Sequence, residues 1–219
     1  MRSDRESDLM QILRWTVWAG NSDHILELSA MESGSCLLDQ HIREALRTRL
    51  YELDSTASII EEMPLLRGKG RADLAFVNGS LCGYEIKSGA DSLVRLGMQT
   101  QNYEAVFELN TLVAANRHIA LAKKRLPETW GIIEAKQIDG RIELRQHRKA
   151  LRNSKFSKSA LARLLWKNEC LRILRMNGVE VRPNASVLEV WNFVETLETK
   201  RLCHGVREAL KRRPVRVAE

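Results

Sequence analysis

The sequence has few of the features that would assign a protein to a functional class at once. Its 219 residues include four cysteines and five histidines, and none of them forms a CxxC or HxxxH pair of the kind that binds zinc. No apolar run approaches the roughly 20 residues that span a bilayer. The first ten residues, MRSDRESDLM, are charged and lack the apolar core of a signal peptide. These absences predict a cytoplasmic protein with reduced thiols and no membrane partner.

Charge is distributed unevenly along the chain. Residues 141–219 contain 19 lysines and arginines and 8 acidic residues, whereas residues 1–140 contain 16 and 20. The overall net charge of +7 therefore resides in the C-terminal part. Such asymmetry indicates a segment that binds a polyanion, joined to a domain with its own acidic site. A solvated basic helix surface is the alternative interpretation.

Hydrophobic periodicity predicts an α/β domain followed by a helical segment. The expected order is a helix capped by Asp39, three antiparallel strands, a helix and further strands, which together imply a mixed sheet flanked by helices. We expect an N-terminal lead over 1–35, a core over 36–150 and a basic helical module over 151–219. Trp15 and Trp18 make the lead a candidate homodimer contact. The more detailed predictions are strands over 58–63, 71–77 and 81–87, a helix over 92–108, a hairpin at Asp139-Gly140, one helix from Ser157 to Asn177-Gly178, and a capping box at Ser186–Glu189.

The stretch from Arg71 to Ser88 carries the residues best suited to chemistry. Asp73 lies on one predicted strand, and Glu85 and Lys87 lie on the next. Because side chains alternate along a strand, Glu85 and Lys87 project from one face. Two carboxylates on neighbouring strands can hold Mg²⁺ (or Mn²⁺), which prefers oxygen ligands. A lysine beside them could orient an attacking water or stabilise developing charge.

Asp73 and Glu85 can share a metal only if the loop between their strands places both side chains on one face of the sheet. A two-residue turn at Asn78-Gly79 would leave Asp73 and Glu85 on opposite faces of the sheet. We therefore predict a loop of odd length formed by Val77, Asn78 and Gly79, with Gly79 in the left-handed conformation, or another bulge between the acids. A plain two-residue turn with unbulged strands would exclude the metal site.

Asp73, Glu85 and Lys87 resemble the motif of the PD-(D/E)xK nuclease superfamily. That motif is an acid, a spacer, and then Asp or Glu, any residue and Lys. The residue before the first acid is Ala72 here, where the named motif has proline. The resemblance covers roughly residues 39–135.

The predicted helix that follows carries the second part of the resemblance. Gln99-Thr-Gln-Asn-Tyr103 is similar to the QxxxY motif of the RecB and lambda-exonuclease branch, in which these side chains help to hold the site and a nucleic-acid phosphate. Residues four apart share a helix face, so Gln99 and Tyr103 can point together at the sheet. A looser similarity is to a group of small, poorly characterised bacterial PD-(D/E)xK proteins, which share the Gly-Tyr-Glu-Ile-Lys-Ser strand.

The resemblance implies both a fold and an activity. The fold is a restriction-endonuclease-like core: a helix, three antiparallel strands, a helix and a strand. The activity is Mg²⁺-dependent hydrolysis of phosphodiester bonds, with DNA favoured over RNA, Asp73 and Glu85 holding the metal and Lys87 assisting the attacking water. Two alternatives stay open: a non-catalytic nucleic-acid-binding or adaptor protein on the same scaffold, and an RNA-cleaving toxin or phage-defence effector.

The resemblance and the basic residues add further candidate contacts. Members of the superfamily often recruit another acid, for which Glu62 is favoured over Glu61 and Glu44. The carbonyl of Ile86 would also face the metal, as the middle residue does in similar sites. The basic residues expected to contact nucleic acid are Lys69, Arg71, Arg148, Lys149, Arg152, Lys155, Lys158, Arg163 and Lys167.

Overall fold

Within residues 38–213, the range that the structure describes in this computed structural model, the chain forms a six-stranded mixed sheet flanked by helices. The strands are β1 (Ser58–Leu65), β2 (Gly70–Val77), β3 (Leu81–Lys87), β4 (Leu109–Ala115), β5 (Gly131–Ile138) and β6 (Arg141–Arg148). The helices are α1 (Asp39–Leu53), α2 (Leu96–Glu104), α3 (Asn116–Arg125), α4 (Lys158–Ala162), α5 (Lys167–Met176), α6 (Val187–Glu195) and α7 (Thr199–Lys211), with a short 3₁₀ turn at Leu66–Gly68. None of the helices in this range is both long and apolar enough to cross a membrane. The predicted N-terminal lead, with Trp15 and Trp18, lies outside the described residues.

The strands lie in the sheet in the order in which they occur along the chain. β1, β2 and β3 pair antiparallel, β3, β4 and β5 pair parallel, and β6 returns antiparallel to β5. Each parallel step needs a crossover connection, and α2 and α3 provide the two crossovers. The structure thus confirms the predicted α/β class with a mixed sheet and flanking helices.

The first helix forms as its apolar spacing predicts. Ile42, Leu46 and Leu50 recur every four residues and are fully buried, so they form the stripe by which α1 packs. The predicted cap is wrong by one position: Leu38 is the N-cap, and Asp39 is in the first turn. There its negative carboxylate interacts favourably with the positive end of the helix dipole.

The turn chemistry at two other predicted positions is also as expected. Asp139 and Gly140 both have positive φ, 49° and 77°, the combination that a tight hairpin of the mirror-image type requires. The Ser186 hydroxyl accepts from the Glu189 N–H at 3.2 Å, and the Glu189 carboxylate accepts from the Ser186 N–H at 2.8 Å. The predicted hairpin and capping box are therefore confirmed.

Two helix predictions are wrong in their bounds. The helix expected over 92–108 forms only as α2, and the single helix expected from Ser157 is broken into α4 and α5. Leu164 and Leu165 are buried in the turn between α4 and α5. The Glu169 carboxylate then accepts from the Trp166 N–H at 2.7 Å, which starts a new helix at that point. Periodicity alone does not reveal this restart, because the apolar stripe continues through the turn.

The helical segment is joined to the sheet through a buried carboxylate. Glu108, only 4% exposed, accepts from the Leu81 backbone N–H at 2.8 Å, from Arg152 at 2.9 Å and from Arg207 at 2.8 Å. Its own carbonyl accepts from the Asn153 N–H at 2.8 Å. These bonds connect β3, the residues after β6 and α7 at one point.

Glycine at position 83 leaves room for a buried ring. A Cβ added to Gly83 would lie 2.4 Å from Cδ2 of Phe107, which is itself fully buried. We therefore expect Gly83→Ala to lower the free energy of unfolding by about 1–3 kcal/mol, the usual cost of overpacking. Urea denaturation measures the change.

The matched control is Gly97→Ala on α2, where an added Cβ meets no atom within 4 Å. Because alanine favours a helix over glycine by roughly 0.5–1 kcal/mol, this variant should be neutral or slightly more stable. Equal stability of the two variants would contradict the close approach of Phe107.

Candidate functional site

The β2–β3 hairpin has the odd loop that a shared face requires. Val77 pairs with Leu81, so the loop consists of Asn78, Gly79 and Ser80. The predicted odd length is confirmed, one residue further along the chain than expected. The left-handed Gly79 is wrong: its φ is not positive. The loop is closed instead by the Asn78 side chain, which accepts from the Ser80 N–H at 3.0 Å.

This register brings the two acids together. Leu74 pairs with Tyr84, so the next residues on the two strands, Asp73 and Glu85, face the same side. Both line one cleft of about 650 Å³. The Asp73 carboxylate also accepts from the Ile86 N–H at 2.7 Å, which ties its side chain to β3. Asp73 and Glu85 therefore lie on one face of the sheet, as predicted from the sequence.

Glu85 is almost fully buried and is held by two donors of the chain. Its Oε1 accepts from the Lys87 ammonium at 2.6 Å and from the Gln99 side-chain amide. Lys87 is itself 5% exposed, so the two charges form a buried ion pair. Glu85 Oε2 and Gln99 Oε1 are buried with no hydrogen-bond partner among the described residues.

Tyr103 lies behind the acids. Its hydroxyl donates to the Tyr84 carbonyl at 3.0 Å and accepts from the Asp73 N–H at 3.1 Å. It thereby bridges β2 and β3 next to their last paired residues. The two members of the predicted QxxxY pair do point at the same site, and the contacts of Tyr103 connect the strands.

Arg43 on α1 is a member of this site that sequence reasoning missed. Its guanidinium donates to the Asp73 carbonyl at 2.6 Å, and it lies 4.0 Å from the Asp73 carboxylate. It also pairs with Glu62 and with Asp39, each at 3.0 Å. The four-residue spacing from Asp39 was a sign of a helix-surface pair, but nothing local indicated the contact with β2.

Glu62 does not enter the cleft. It has a positive φ of 52° and is missing from the otherwise regular β1–β2 pairing. Its carboxylate pairs with Arg43 at 3.0 Å and with Arg71 at 2.5 Å. The competing Glu61 pairs with Arg47 at 3.2 Å. Neither residue lines the cleft with Asp73 and Glu85, although Glu62 shares the Arg43 guanidinium with Asp73.

The rim of the cleft carries basic and apolar side chains. Lys69 and Arg71 border it, together with Arg95, Met98 and Asn102. The floor is acidic and the rim is basic. Such a cleft can accept a cation or another hydrogen-bond donor at its floor and an anion at its rim.

Several of the basic residues expected to bind nucleic acid are tied within the chain. Arg148 donates to the carbonyls of Trp130 at 2.6 Å and Pro127 at 2.9 Å, and Arg152 pairs with Glu108. Three others are held likewise: Lys155 lies 3.5 Å from Glu104, Lys158 donates to the Leu197 carbonyl at 2.6 Å, and Arg163 pairs with Glu195 at 2.9 Å. Lys149 and Lys167 contact no carboxylate within residues 38–213. The structure thus does not bring the nine residues into one unpaired basic track.

Burial makes the Asp73 carboxyl harder to ionise. Burial first, and the charge of Glu85 second, raise the pKa of Asp73 from 3.8 to about 7, against the opposing effects of the Ile86 N–H, Lys87 and Arg43. The folded state therefore keeps a proton that the unfolded chain has lost. The free energy of unfolding should fall as pH rises from about 4 to about 7, by roughly a few kcal/mol at most.

Asp73→Asn should flatten this part of the stability curve, because the amide accepts from Ile86 without titrating. Urea denaturation at several pH values measures the slope. Glu198→Gln on an exposed side chain is the control and should leave the slope unchanged. An unchanged slope in Asp73→Asn would contradict the raised pKa.

Comparison with known proteins relates the chain to a phage protein. The family model of the bacteriophage P4 protein cII matches residues 36–216. Protein cII of Enterobacteria phage P4 is 33% identical over 145 residues, which cover 65% of this chain and 55% of that relative. The chain thus spans about half the length of the relative that it matches.

These matches correct the interpretation drawn from the short motif. The assignment to the PD-(D/E)xK nuclease superfamily is wrong, and so are the Mg²⁺-dependent deoxyribonuclease activity and the terms nuclease and hydrolase that followed from it. The motif consists of three separated residues, whereas the family model covers 181 consecutive positions. The chain belongs to the bacteriophage P4 cII protein family.

Proposed function

We propose that this chain is a non-catalytic nucleic-acid-binding protein. In this proposal, the restriction-endonuclease-like core expected from the sequence is only a scaffold, and the helical segment after β6 contacts the nucleic acid. The proposal rests on one observation above all: helices of this segment carry a group of cations that contact no carboxylate in the described part of the chain. Within residues 38–213, Lys167, Arg172, Arg175 and Lys200 contact no carboxylate.

The acidic site supports the same proposal, because its charges are matched inside the chain. Lys87 pairs with Glu85, and Arg43 contacts Asp73 and Glu62. A polyanion approaching the protein therefore meets little uncompensated negative charge at the sheet. Phosphates are attracted to the unpaired cations instead, by an attraction that salt weakens.

The test is binding of labelled DNA to the full chain, followed by fluorescence anisotropy at several salt concentrations. We expect submillimolar affinity that falls with salt, with a slope of log K against log salt of roughly −0.9 for each phosphate neutralised. With Mg²⁺ present, the DNA should stay uncleaved on a denaturing gel. An affinity that does not change with salt, or no binding at low salt, would rule the proposal out.

A second candidate function is binding of a divalent cation in the cleft without hydrolysis. The favouring observation is Glu85 Oε2, a buried carboxylate oxygen with no partner among the described residues. The Asp73 carboxylate lies on the same face. Such oxygens suit Mg²⁺ or Mn²⁺. The bound ion would supply positive charge next to the basic rim, where a phosphate could bind.

Cation binding should be visible as thermal stabilisation, because a ligand that binds only the folded state raises the midpoint. We expect millimolar Mn²⁺ to raise the Tm of the wild-type chain by a few degrees. The Tm of Glu85→Gln and of Asp73→Asn should not change when Mn²⁺ is added. Each protein is compared with its own metal-free sample. Glu61→Gln, outside the cleft, should respond as the wild type does. Equal shifts in all four proteins would place the bound ion elsewhere.

A further inference from the structure

Helix α5 has two chemically different faces. Cys170, Ile173 and Leu174 are buried against the other helices. At 100° per residue, the opposite half of the helix carries Lys167, Asn168, Leu171, Arg172, Arg175 and Met176. Half of these six side chains are cationic, and none is acidic. We call these six residues the α5 face.

The helix contains one acid, and its charge is used internally. Glu169 is 6% exposed. Its two carboxylate oxygens accept from the Arg213 guanidinium at 2.6 and 2.8 Å, and one of them also caps Trp166. The cations of the α5 face therefore have no neutralising partner on their own helix, and they contact no carboxylate elsewhere in residues 38–213. Their charge is free to attract an anion.

Further cations lie at both ends of the face. At the start of the helix, the Arg213 guanidinium lies 4.6 Å from the centre of the Trp166 ring, and that ring is 53% exposed. At the other end, Arg201 donates to the Asn177 side chain at 3.4 Å. Both of these arginines also contact carboxylates, Arg213 that of Glu169 and Arg201 that of Glu198 at 3.9 Å, so among the described residues of this helix and its ends the unpaired cations are those of the α5 face itself. An exposed aromatic ring beside them is a platform on which a base or sugar can stack.

The segment just before α5 is anchored in the core. α4 and the turn after it put Ala160, Leu161 and Leu165 into the core, and the Trp191 indole donates to the Leu165 carbonyl at 3.1 Å. The result is a short helix, a four-residue turn and a longer helix with a basic outer surface. A ten-residue helix is about 15 Å long, and the major groove of B-DNA, roughly 12 Å wide, admits such a helix.

We propose that the α5 face binds in the major groove of duplex DNA, with Lys167, Arg172 and Arg175 contacting phosphates. This inference rests on the proposed function and adds the surface and the form of nucleic acid. Duplex RNA should bind more weakly, since its deep and narrow major groove does not admit a helix.

The experiment compares two triple variants of the full chain that lose the same charge. One is Lys167→Gln, Arg172→Gln and Arg175→Gln. The control is Lys124→Gln, Lys136→Gln and Arg141→Gln, three exposed residues far from α5 in sequence. Anisotropy with a labelled 20-bp DNA of mixed sequence, over a salt series, measures affinity and slope. Circular dichroism verifies that each variant is folded.

We expect the α5 triple to weaken binding at least tenfold and to reduce the salt slope by roughly two to three, since three phosphate contacts are lost. The control triple should stay within about twofold of the wild type. Equal weakening of both triples would show a response to net charge alone and overturn the α5 proposal. Weakening by the control triple alone would overturn it as well, while leaving nucleic-acid binding intact.

The two proposals fail in different ways. No DNA binding by the wild-type chain would reject the proposed function itself. Wild-type binding that is equally strong for duplex DNA and a duplex RNA of the same length would overturn the groove placement, while leaving nucleic-acid binding intact.

Discussion

The buried carboxylate of Glu108 is the interaction on which the arrangement of the two parts depends. Taking a carboxylate out of water costs several kcal/mol, and Glu108 offsets that cost with a backbone N–H of β3 and two arginines. Arg152 comes from the residues after β6, and Arg207 comes from α7. Because one acid accepts from donors of three segments, it ties α7 and the residues after β6 to β3. Helix α5 packs in turn against the other helices of this part through its buried residues.

The contacts that basic residues make within the fold also decide which of them are available to contact a nucleic acid. Arg152 donates to the buried Glu108 carboxylate, so moving it to a phosphate would break that contact and leave Arg207 as the other arginine on Glu108. Arg148 cannot contact a phosphate without leaving the carbonyls of Trp130 and Pro127. Arg172 and Arg175 lose no such bond on binding. A basic residue is therefore a good candidate for nucleic-acid contact when the fold makes no other use of its charge.

Local features of the sequence were predictable where their physics is local. The stripe of α1, the Asp139-Gly140 turn and the capping box at Ser186 all depend on spacing within a few residues. The odd β2–β3 loop was predicted differently, from the requirement that Asp73 and Glu85 share one face. The conformation of Gly79 was not predictable in this way, because the Asn78 side chain closes the loop without a left-handed residue.

Features that depend on packing were not predictable from the sequence. Arg43 reaches Asp73 only because α1 lies against the sheet. Glu62 faces two arginines because its backbone departs from the regular β1–β2 pairing. The break between α4 and α5 arises where Leu164 and Leu165 pack into the core and Glu169 caps a new helix. Each of these outcomes is decided by residues distant in the chain or by competition between two local structures.

The acidic site shows why a short motif can resemble a catalytic one without implying catalysis. Glu85 and Lys87 are buried, so each needs the other: loss of either leaves an uncompensated charge in the sheet. The Asp73 carboxylate accepts from the Ile86 N–H, next to the last paired residues of β2 and β3. The Tyr103 hydroxyl bridges the same two strands. Each of the three residues thus has contacts that stabilise the folded hairpin. A function is therefore argued from groups that the fold leaves unused. Those groups are Glu85 Oε2 in the cleft and the cations of the α5 face.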